Sequence, residues 1–286
     1  MGLKDRLSDI LSPHELKLLY RSFDIVGDIA VLKIPGELED KGEAIANALM
    51  QINKCVRTVI CQVTPVSGEY RLRKLRWLGG EKKTETAHRE HGCLFKVDLA
   101  KCYFSPRLSY ERMRVAGQVK PGEVVVNMFA GVGCFSILIA KRSKAKKVYS
   151  IDINPDAVQY MRINVDLNRV ADIVEPIEGD SKDVIASRLR CVADRVLMPL
   201  PEKAYEYLDY AIMALKPSGG VLHYYDFEHA GKGEDSAAKV AEKVSRKLSE
   251  KGVSFSIPFA RIVRTTGPRW YQVVLDIYIT GERQLS

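Results

Sequence analysis

From Val119 onward, apolar runs of strand length alternate with amphipathic runs of helix length, and this alternation narrows the possible folds more than any other feature of the chain. VKPGEVVVNMFAG reads as a turn and a buried strand, CFSILIAKRS as a helix, and KKVYSIDIN as a strand. PDAVQYMRINVDLNRV reads as a helix with Pro155 and Asp156 in its first turn, where proline's fixed φ and a negative charge both suit the helix start. VEPIEG, ADRVLMPLP, GGVLHYYDF and YQVVLDIYI read as further strands, with KVAEKVSRKLSEKG as a helix before the last. Strands that alternate with helices form a parallel sheet covered on both faces, so the fold class is α/β. The strongly alternating last strand is expected to enter antiparallel.

The N-terminal third has a different texture. PHELKLLY, residues 13–20, starts a short helix capped by Ser12, with Glu15 at the third helical position. FDIVGDIAVLKIP reads as two short strands joined at Gly27-Asp28, residues 37–54 as one helix, and VRTVICQV as a strand. A charged stretch containing GEYRLRKLR and GEKKTETAHREHG follows, then the alternating LFKVDLAKCYF. The expected organisation is an N-terminal helix or extension over 1–22, a small α+β domain over 23–100, and an α/β domain over 101–286 that includes the connecting motif.

Composition excludes more than it identifies. The 286 residues are 46% hydrophobic, enough for a substantial core, and Lys plus Arg exceed Asp plus Glu by 44 to 36. The resulting charge of +8 suits a polyanionic partner and general solubility equally. Cys55, Cys61, Cys93, Cys102, Cys134 and Cys191 show neither a CxxC pair nor zinc-knuckle spacing, so a reducing cytoplasm and no metal centre are expected. The polar start MGLKDRLSDI and the lack of an 18-residue apolar run argue against secretion and membrane insertion.

The loop NMFAGVG, residues 127–133, follows the first strand of the α/β region, and Asp152 follows the second. A glycine turn lets backbone approach a ligand, and an acid at the next strand end can hold ribose hydroxyls. The loop is neither GxGxxG nor a P-loop, which disfavours dinucleotides and nucleoside triphosphates. S-adenosylmethionine fits better, because it needs an adenosine pocket and a diol contact but carries no pyrophosphate. Asp180, ending the third strand, is a candidate for adenine recognition and equally for a helix N-cap.

GEYR (68–71), GEKKTETAHREHG (80–92), YFSPRLSYER (103–112), NMFAGVG, SIDINP (150–155) and HYYDF (223–227) together resemble the archaeal and eukaryotic tRNA (guanosine-37 N1)-methyltransferase family, Trm-five, from about residue 20 onward. The resemblance implies a class I Rossmann-like S-adenosylmethionine-dependent methyltransferase domain preceded by a smaller α+β domain that recognises tRNA. An additional N-terminal domain found in some relatives is expected to be absent or reduced. It further implies methyl transfer to N1 of guanosine 37 in the anticodon arm, by one protein molecule per tRNA. Glu111 matches the family's general base, Arg71 the arginine on the guanine O6 side, and Tyr103 a wall of the same pocket. Read without the resemblance, Glu111 fits a charged helix face and Arg71 a basic strand. Asn127, Phe129, Gly131, Gly133, Asp152, Ile153, Asp180 and Ser181 are the candidate cofactor contacts. Arg73, Lys82, Lys83, Arg107, Pro199 and Pro201 are the candidate substrate contacts, while His88 and Arg89 are weaker ones. His223 reads as structural rather than substrate-binding, and Trp77 and Trp270 as packing or stacking residues.

Two positions depart from the family pattern. The usual Asn-Leu-Pro after the fourth strand is Pro199-Leu200-Pro201, which removes a side-chain amide from the base pocket. Such variation resembles the archaeal wyosine-pathway branch, which implies a second activity on C7 of 4-demethylwyosine at the same position. Asn127 stands where an acid commonly ends the first strand. Aminocarboxypropyl transfer from the same cofactor, by a related wyosine enzyme, fits SPRLSYER and DIN less well, and a non-catalytic RNA-binding protein would not need the glycine loop.

Overall fold

The computed structural model describes residues 2–20 and 22–281; Met1, Arg21 and residues 282–286, which belong to the expected first and last segments, lie outside the described residues. The chain divides into two compact units, Met1–Arg107 and Leu108–Ser286.

The first unit begins with α1 (Leu3–Arg6) and α2 (Pro13–Leu18). Ser12 Oγ accepts from the Glu15 amide and Glu15 Oε2 accepts from the Ser12 amide at 2.7 Å, the reciprocal cap read from the sequence. β1 (Asp24–Val26) and β2 (Ile29–Leu32) form a hairpin; a 3-10 segment (Gly36–Lys41) and α3 (Gly42–Ile52) cross to β3 (Thr58–Gln62), which pairs parallel with β2. β4 (Leu75–Gly80) closes the four-stranded sheet antiparallel to β3. The single helix expected over 37–54 is therefore two pieces. The tight first piece buries Leu38, and α3 then buries Ile45, Ala46, Ala48 and Leu49 against Val59 and Leu78.

The charged stretch after β4 contains β5 (Glu85–Glu90), hairpinned to β6 (Cys93–Asp98) through His91 and Gly92. Both turn residues have positive φ, the conformation a two-residue type I′ turn requires. β5 alternates, but its inward residues are Thr86, His88 and Glu90, so polarity hides the period. These inward groups clamp the β1–β2 turn: Thr86 Oγ1 donates to Asp28 Oδ1 at 2.7 Å, and the Gly27 amide donates to His88 Nδ1 at 3.2 Å. Gly27 has φ +57, and a Cβ there would lie 2.2 Å from Thr86 Oγ1, so the clamp closes only over glycine.

The second unit runs α4 (Ser109–Gln118), β7 (Val124–Asn127), α5 (Cys134–Arg142), β8 (Lys147–Asp152), α6 (Pro155–Leu167), β9 (Val174–Glu178) and α7 (Ser181–Arg188). It continues with β10 (Arg195–Met198), α8 (Pro201–Ala214), β11 (Gly219–His229), α9 (Ser236–Glu250), β12 (Phe255–Gly267) and β13 (Trp270–Thr280). The sheet order is β12-β13-β11-β10-β7-β8-β9. β11, β10, β7, β8 and β9 are parallel, while β13 is antiparallel to both of its neighbours, as its alternation implied. Val126, Met198, Leu222, Tyr224, Leu275 and Ile277 pack on one face with α7, α8 and α9. The alternate residues Asn127 and Tyr225 face the other side, toward α4 and α5.

Candidate active site

Strand pairing places side chains in rows beneath α4. His223, Asp276 and Phe259 align across β11, β13 and β12, and Tyr225, Val274 and Arg261 form the next row toward the end of β11. Glu111, Arg114 and Gln118 share one face of α4 at three- and four-residue spacing, and that face meets the rows in order. Glu111 is 1% exposed. Its Oε1 accepts from Tyr225 Oη at 2.7 Å and from Arg114 Nη2 at 2.7 Å, and its Oε2 accepts from Arg261 Nη2 at 2.8 Å and from Arg114 Nε at 3.0 Å.

Arg114 passes the chain of charges onward. Its Nη1 donates to Asp276 Oδ2 at 2.5 Å, Gln118 Nε2 donates to the same oxygen at 3.0 Å, and the guanidinium lies 4.6 Å from the Phe259 ring centre. His223 Nδ1 is 2.7 Å from Asp276 Oδ1, and its Nε2 is 2.7 Å from Arg195 Nη1. Burial, opposed by Asp276, lowers the His223 pKa, so the ring is neutral; Nδ1 then donates to Asp276 and Nε2 accepts from Arg195. Arg195 Nε in turn donates to Glu123 Oε2 at 2.8 Å. Burial disfavours the Asp276 carboxylate, but hydrogen bonds from His223 and Arg114 outweigh it and hold its pKa well below the ordinary range. Arg261, Arg114 and Arg195 thus balance Glu111, Asp276 and Glu123 in one buried seam. Burial, then the adjacent Glu111, push the Tyr225 hydroxyl far above its usual pKa, so it serves as a donor.

The glycine loop lies where the sheet order reverses, between β10 and β8 at the end of β7, the position at which open α/β sheets bind ligands. Asp152 Oδ2 accepts from the Gly131 amide at 2.6 Å and Oδ1 from the Asn154 amide at 3.0 Å. Each oxygen retains a further lone pair, which fits a vicinal diol. Burial raises the Asp152 pKa against the effect of the two amides. Gly133 has φ +90, and a Cβ on it would lie 2.9 Å from Met161 Cγ, so this glycine serves α5–α6 packing. Asn127 is fully buried, with Nδ2 donating to Ser136 Oγ at 3.0 Å and Oδ1 lacking a protein partner. Its interior position tolerates a neutral amide more readily than a charge.

Asp180 caps α7, with Oδ1 accepting from the Lys182 amide and Oδ2 from Tyr207 Oη at 2.9 Å. Tyr207 also packs edge-on to Phe129, with ring centres 5.3 Å apart, and so ties the β7 loop to the α7 start. Ser181 is buried and its hydroxyl has no protein partner, and Ile153 is partly exposed beside Asp152. Pro199 is half-buried beyond β10, and Pro201 is buried at the first position of α8.

In the first unit, the Arg71 guanidinium lies 4.6 Å from the Tyr103 ring centre and that of Arg73 lies 5.9 Å from it. Arg71 has φ +56, an uncommon conformation for a residue with a side chain. Arg73 Nη1 also donates to Gln62 Oε1 at 2.9 Å, and Arg107 Nε donates to Asp24 Oδ1 at 2.7 Å. Lys83 is shared between Asp28 and Glu81, each at 2.7 Å, whereas Lys82 is exposed. Lys83 and His88 therefore hold the hairpin clamp. His223 is structural, as the sequence implied, and Trp77 and Trp270 are both about half exposed.

Sequence reading did not single out Arg114, Tyr225, Asp276, Arg261 or Tyr207 as site residues. Arg114 carried a signal in its three-residue spacing from Glu111, and Asp276 in being an acid inside the apolar run VVLDIYI. Arg261 carried none. Among the described residues no group of His, Cys, Asp and Glu is placed to hold a metal ion, and no helix is long and apolar enough to cross a membrane.

This sheet order, with its loop and its antiparallel last strand β13 inserted between β11 and β12, defines a class I methyltransferase fold. A model of the TRM5/TYW2 methyltransferase domain matches residues 86–256, and one of the TYW2 N-terminal domain matches residues 3–84. The chain belongs to the TRM5/TYW2 family and is an enzyme, a tRNA-modifying methyltransferase of that family. It is 42% identical to tRNA (guanine(37)-N(1))-methyltransferase Trm5b of Pyrococcus abyssi, over 94% of this chain and 78% of that protein. It is 40% identical to tRNA 4-demethylwyosine(37)-methyltransferase Taw21 of Saccharolobus solfataricus, over 91% of this chain and 94% of that protein. The complex structure of aTrm5 and tRNALeu matches with TM-score 0.83 at 35% identity, over 98% of this chain and 78% of that one. Pyrococcus horikoshii TYW2 in complex with MeSAdo matches with TM-score 0.80 at 29% identity, over 98% of both chains.

Proposed function

We propose that this enzyme transfers methyl from S-adenosylmethionine to the base at position 37 of tRNA, taking 4-demethylwyosine at C7 as well as guanosine at N1. Pro199 carries the extension to the tricyclic base. It leaves the wall beyond β10 without the side-chain amide that would hold guanine, and a less polar wall suits a larger ring system. Two further findings support that reading: the match to the Taw21 relative spans nearly all of that protein, and the N-terminal residues match a TYW2-type domain.

Bound cofactor supplies an electrophilic methyl on its sulfonium. Asp152, oriented by the Gly131 and Asn154 amides, would hold the ribose diol, and the packed Phe129–Tyr207 pair would supply apolar wall. Glu111 accepts the proton of the substrate. At guanosine that proton leaves N1 as methyl arrives, with charge developing toward O6, which Arg71 stabilises; at C7 it leaves carbon after the methyl has attached. One carboxylate thus serves both acceptors. Tyr103 supports Arg71, and Arg73, Lys82 and Arg107 contact the tRNA backbone, which positions the nucleic acid without naming its base.

Mass spectrometry of nucleoside 37, after incubation of matched tRNAs carrying either base, tests the proposal. A methyl on both is expected, with Pro199→Asn lowering transfer to the tricycle relative to guanosine. A methyl on guanosine alone would remove the second activity, and an aminocarboxypropyl adduct would move the enzyme to the other wyosine reaction.

A further inference from the structure

Three side chains bind the Glu111 carboxylate, and they differ in how free they are to leave. Tyr225 is buried in the sheet and Arg114 is fixed by Asp276 as well as by Glu111. Arg261 alone among the three has an open side: its side chain is 33% exposed, against 11% for Arg114. It sits on edge strand β12, between two register shifts, at Ser256/Phe259 and at Ile262/Arg264, where the ladder to β13 is broken. Its bonding is also incomplete, since Nε is buried without a hydrogen-bond partner while Nη2 reaches Glu111 Oε2 at 2.8 Å. Tyr110, 68% exposed, stands over the guanidinium with its ring centre 4.9 Å away.

We infer that Arg261 is a latch on Glu111: it occupies Oε2 until the target base displaces it, while Arg114 and Tyr225 keep the carboxylate in place. The inference rests on the assignment of Glu111 as the proton acceptor. A base that must give up a proton needs a free lone pair on the carboxylate. Oε2 is shared by Arg114 Nε at 3.0 Å and Arg261 Nη2 at 2.8 Å, and of these two donors Arg261 is the one held least, so its departure frees one lone pair while Arg114 stays. The released guanidinium has the face of Tyr110 to remain against, so displacement does not strand the charge. Arg261 is a positioning residue in this scheme: it leaves Oε2 before the proton arrives and touches neither the base nor the cofactor.

The test combines kinetics with a signal that does not depend on turnover. In single-turnover methylation at saturating cofactor, Arg261→Ala is expected to raise the rate constant several-fold with the tRNA KM unchanged, and Arg261→Lys to fall between. With arginine-specific 15N labelling, the Arg261 Nε–H resonance, identified by its loss in Arg261→Lys, is expected to shift when unmodified tRNA is added. A slower Arg261→Ala enzyme, an effect confined to KM, or an unmoved resonance would each overturn the latch. Should the wild-type enzyme transfer no methyl to tRNA, the activity assignment falls while the resonance still decides whether tRNA displaces Arg261.

Discussion

Glu111 and Arg114 lie one turn apart on α4, and the arginine joins that carboxylate to Asp276 on β13, with Nη2 2.7 Å from Glu111 Oε1 and Nη1 2.5 Å from Asp276 Oδ2. The Glu111 carboxylate is thereby fixed by the sheet and not by its own helix alone. Burial opposes the charge on Arg114, but hydrogen bonds to Asp276 and Glu111 outweigh it and raise its pKa above the ordinary value. Arg114→Met would leave two buried carboxylates facing each other. Breaking a buried pair in this way costs about 3–5 kcal/mol. The expected result is a lowered urea midpoint, with little recovery in Arg114→Lys because a single ammonium cannot bridge both acids. A midpoint within error of wild type would show that the seam does not stabilise the fold.

The same seam makes stability pH-dependent. His223 is neutral when folded because burial lowers its pKa, against the pull of Asp276, whereas the unfolded chain titrates near roughly 6.5. Protons therefore favour the unfolded state, so the His223 contribution is present above about pH 6.5 and is lost as pH falls below it. Asp276 has the same sign at lower pH: its stabilisation is present above about 3.9 and declines as pH falls toward its depressed folded value. Melting curves should show stability declining from about pH 6.5 downward by at most about 1.4 kcal/mol per pH unit for this one proton. His223→Gln should flatten that upper step and leave the lower one. An unchanged slope in His223→Gln would assign the step to other groups.

β7 to β11, β13, α5, α6 and α9 were legible because each buries an apolar face with its own period, whereas α4, α7 and α8 were not read from the sequence. What stayed hidden was polar. β5 turns Thr86, His88 and Glu90 inward, and β12 alternates between half-buried and exposed residues at the sheet edge, so neither offers an apolar run. Glu111 and Asp152 were singled out through motif context. Tyr225, Asp276 and Arg261 join Glu111 only through cross-strand rows, and row alignment is set by pairing between segments distant in the chain. The roles of Asp180 and Lys83 were open for a related reason, since a cap or a clamp is decided by the partner that folding delivers.

Asp152 tests the cofactor site without requiring turnover. Its two oxygens accept the amides of Gly131 and Asn154, and Asp152→Asn would turn an N–H group toward one of those donors. A buried donor left facing another costs about 1–3 kcal/mol, which corresponds to roughly 5- to 150-fold weaker binding where the unliganded loop relaxes away from the clash and the liganded loop cannot. Titration calorimetry with S-adenosylmethionine should show this loss, with the melting temperature of the unliganded protein changed much less. Equal affinity in the variant would place the diol elsewhere.

Glu111→Gln separates proton acceptance from architecture more cleanly than truncation does. The amide keeps the volume and one acceptor oxygen, so Tyr225 or Arg114 retains a partner, but it takes no proton at neutral pH. Removing a general base costs typically about 10²- to 10⁴-fold in rate. The expected outcome is a fall of that size in single-turnover methylation at saturating tRNA, with the cofactor affinity unchanged because Asp152 and the glycine loop are untouched. For the two acceptors the losses should differ: N1 must lose its proton as methyl arrives, whereas C7 loses it after the bond has formed, so transfer to the tricycle should be impaired less. If Glu111→Gln methylated guanosine at the wild-type rate, the proton would be leaving by another route, and the buried seam would be a structural device alone.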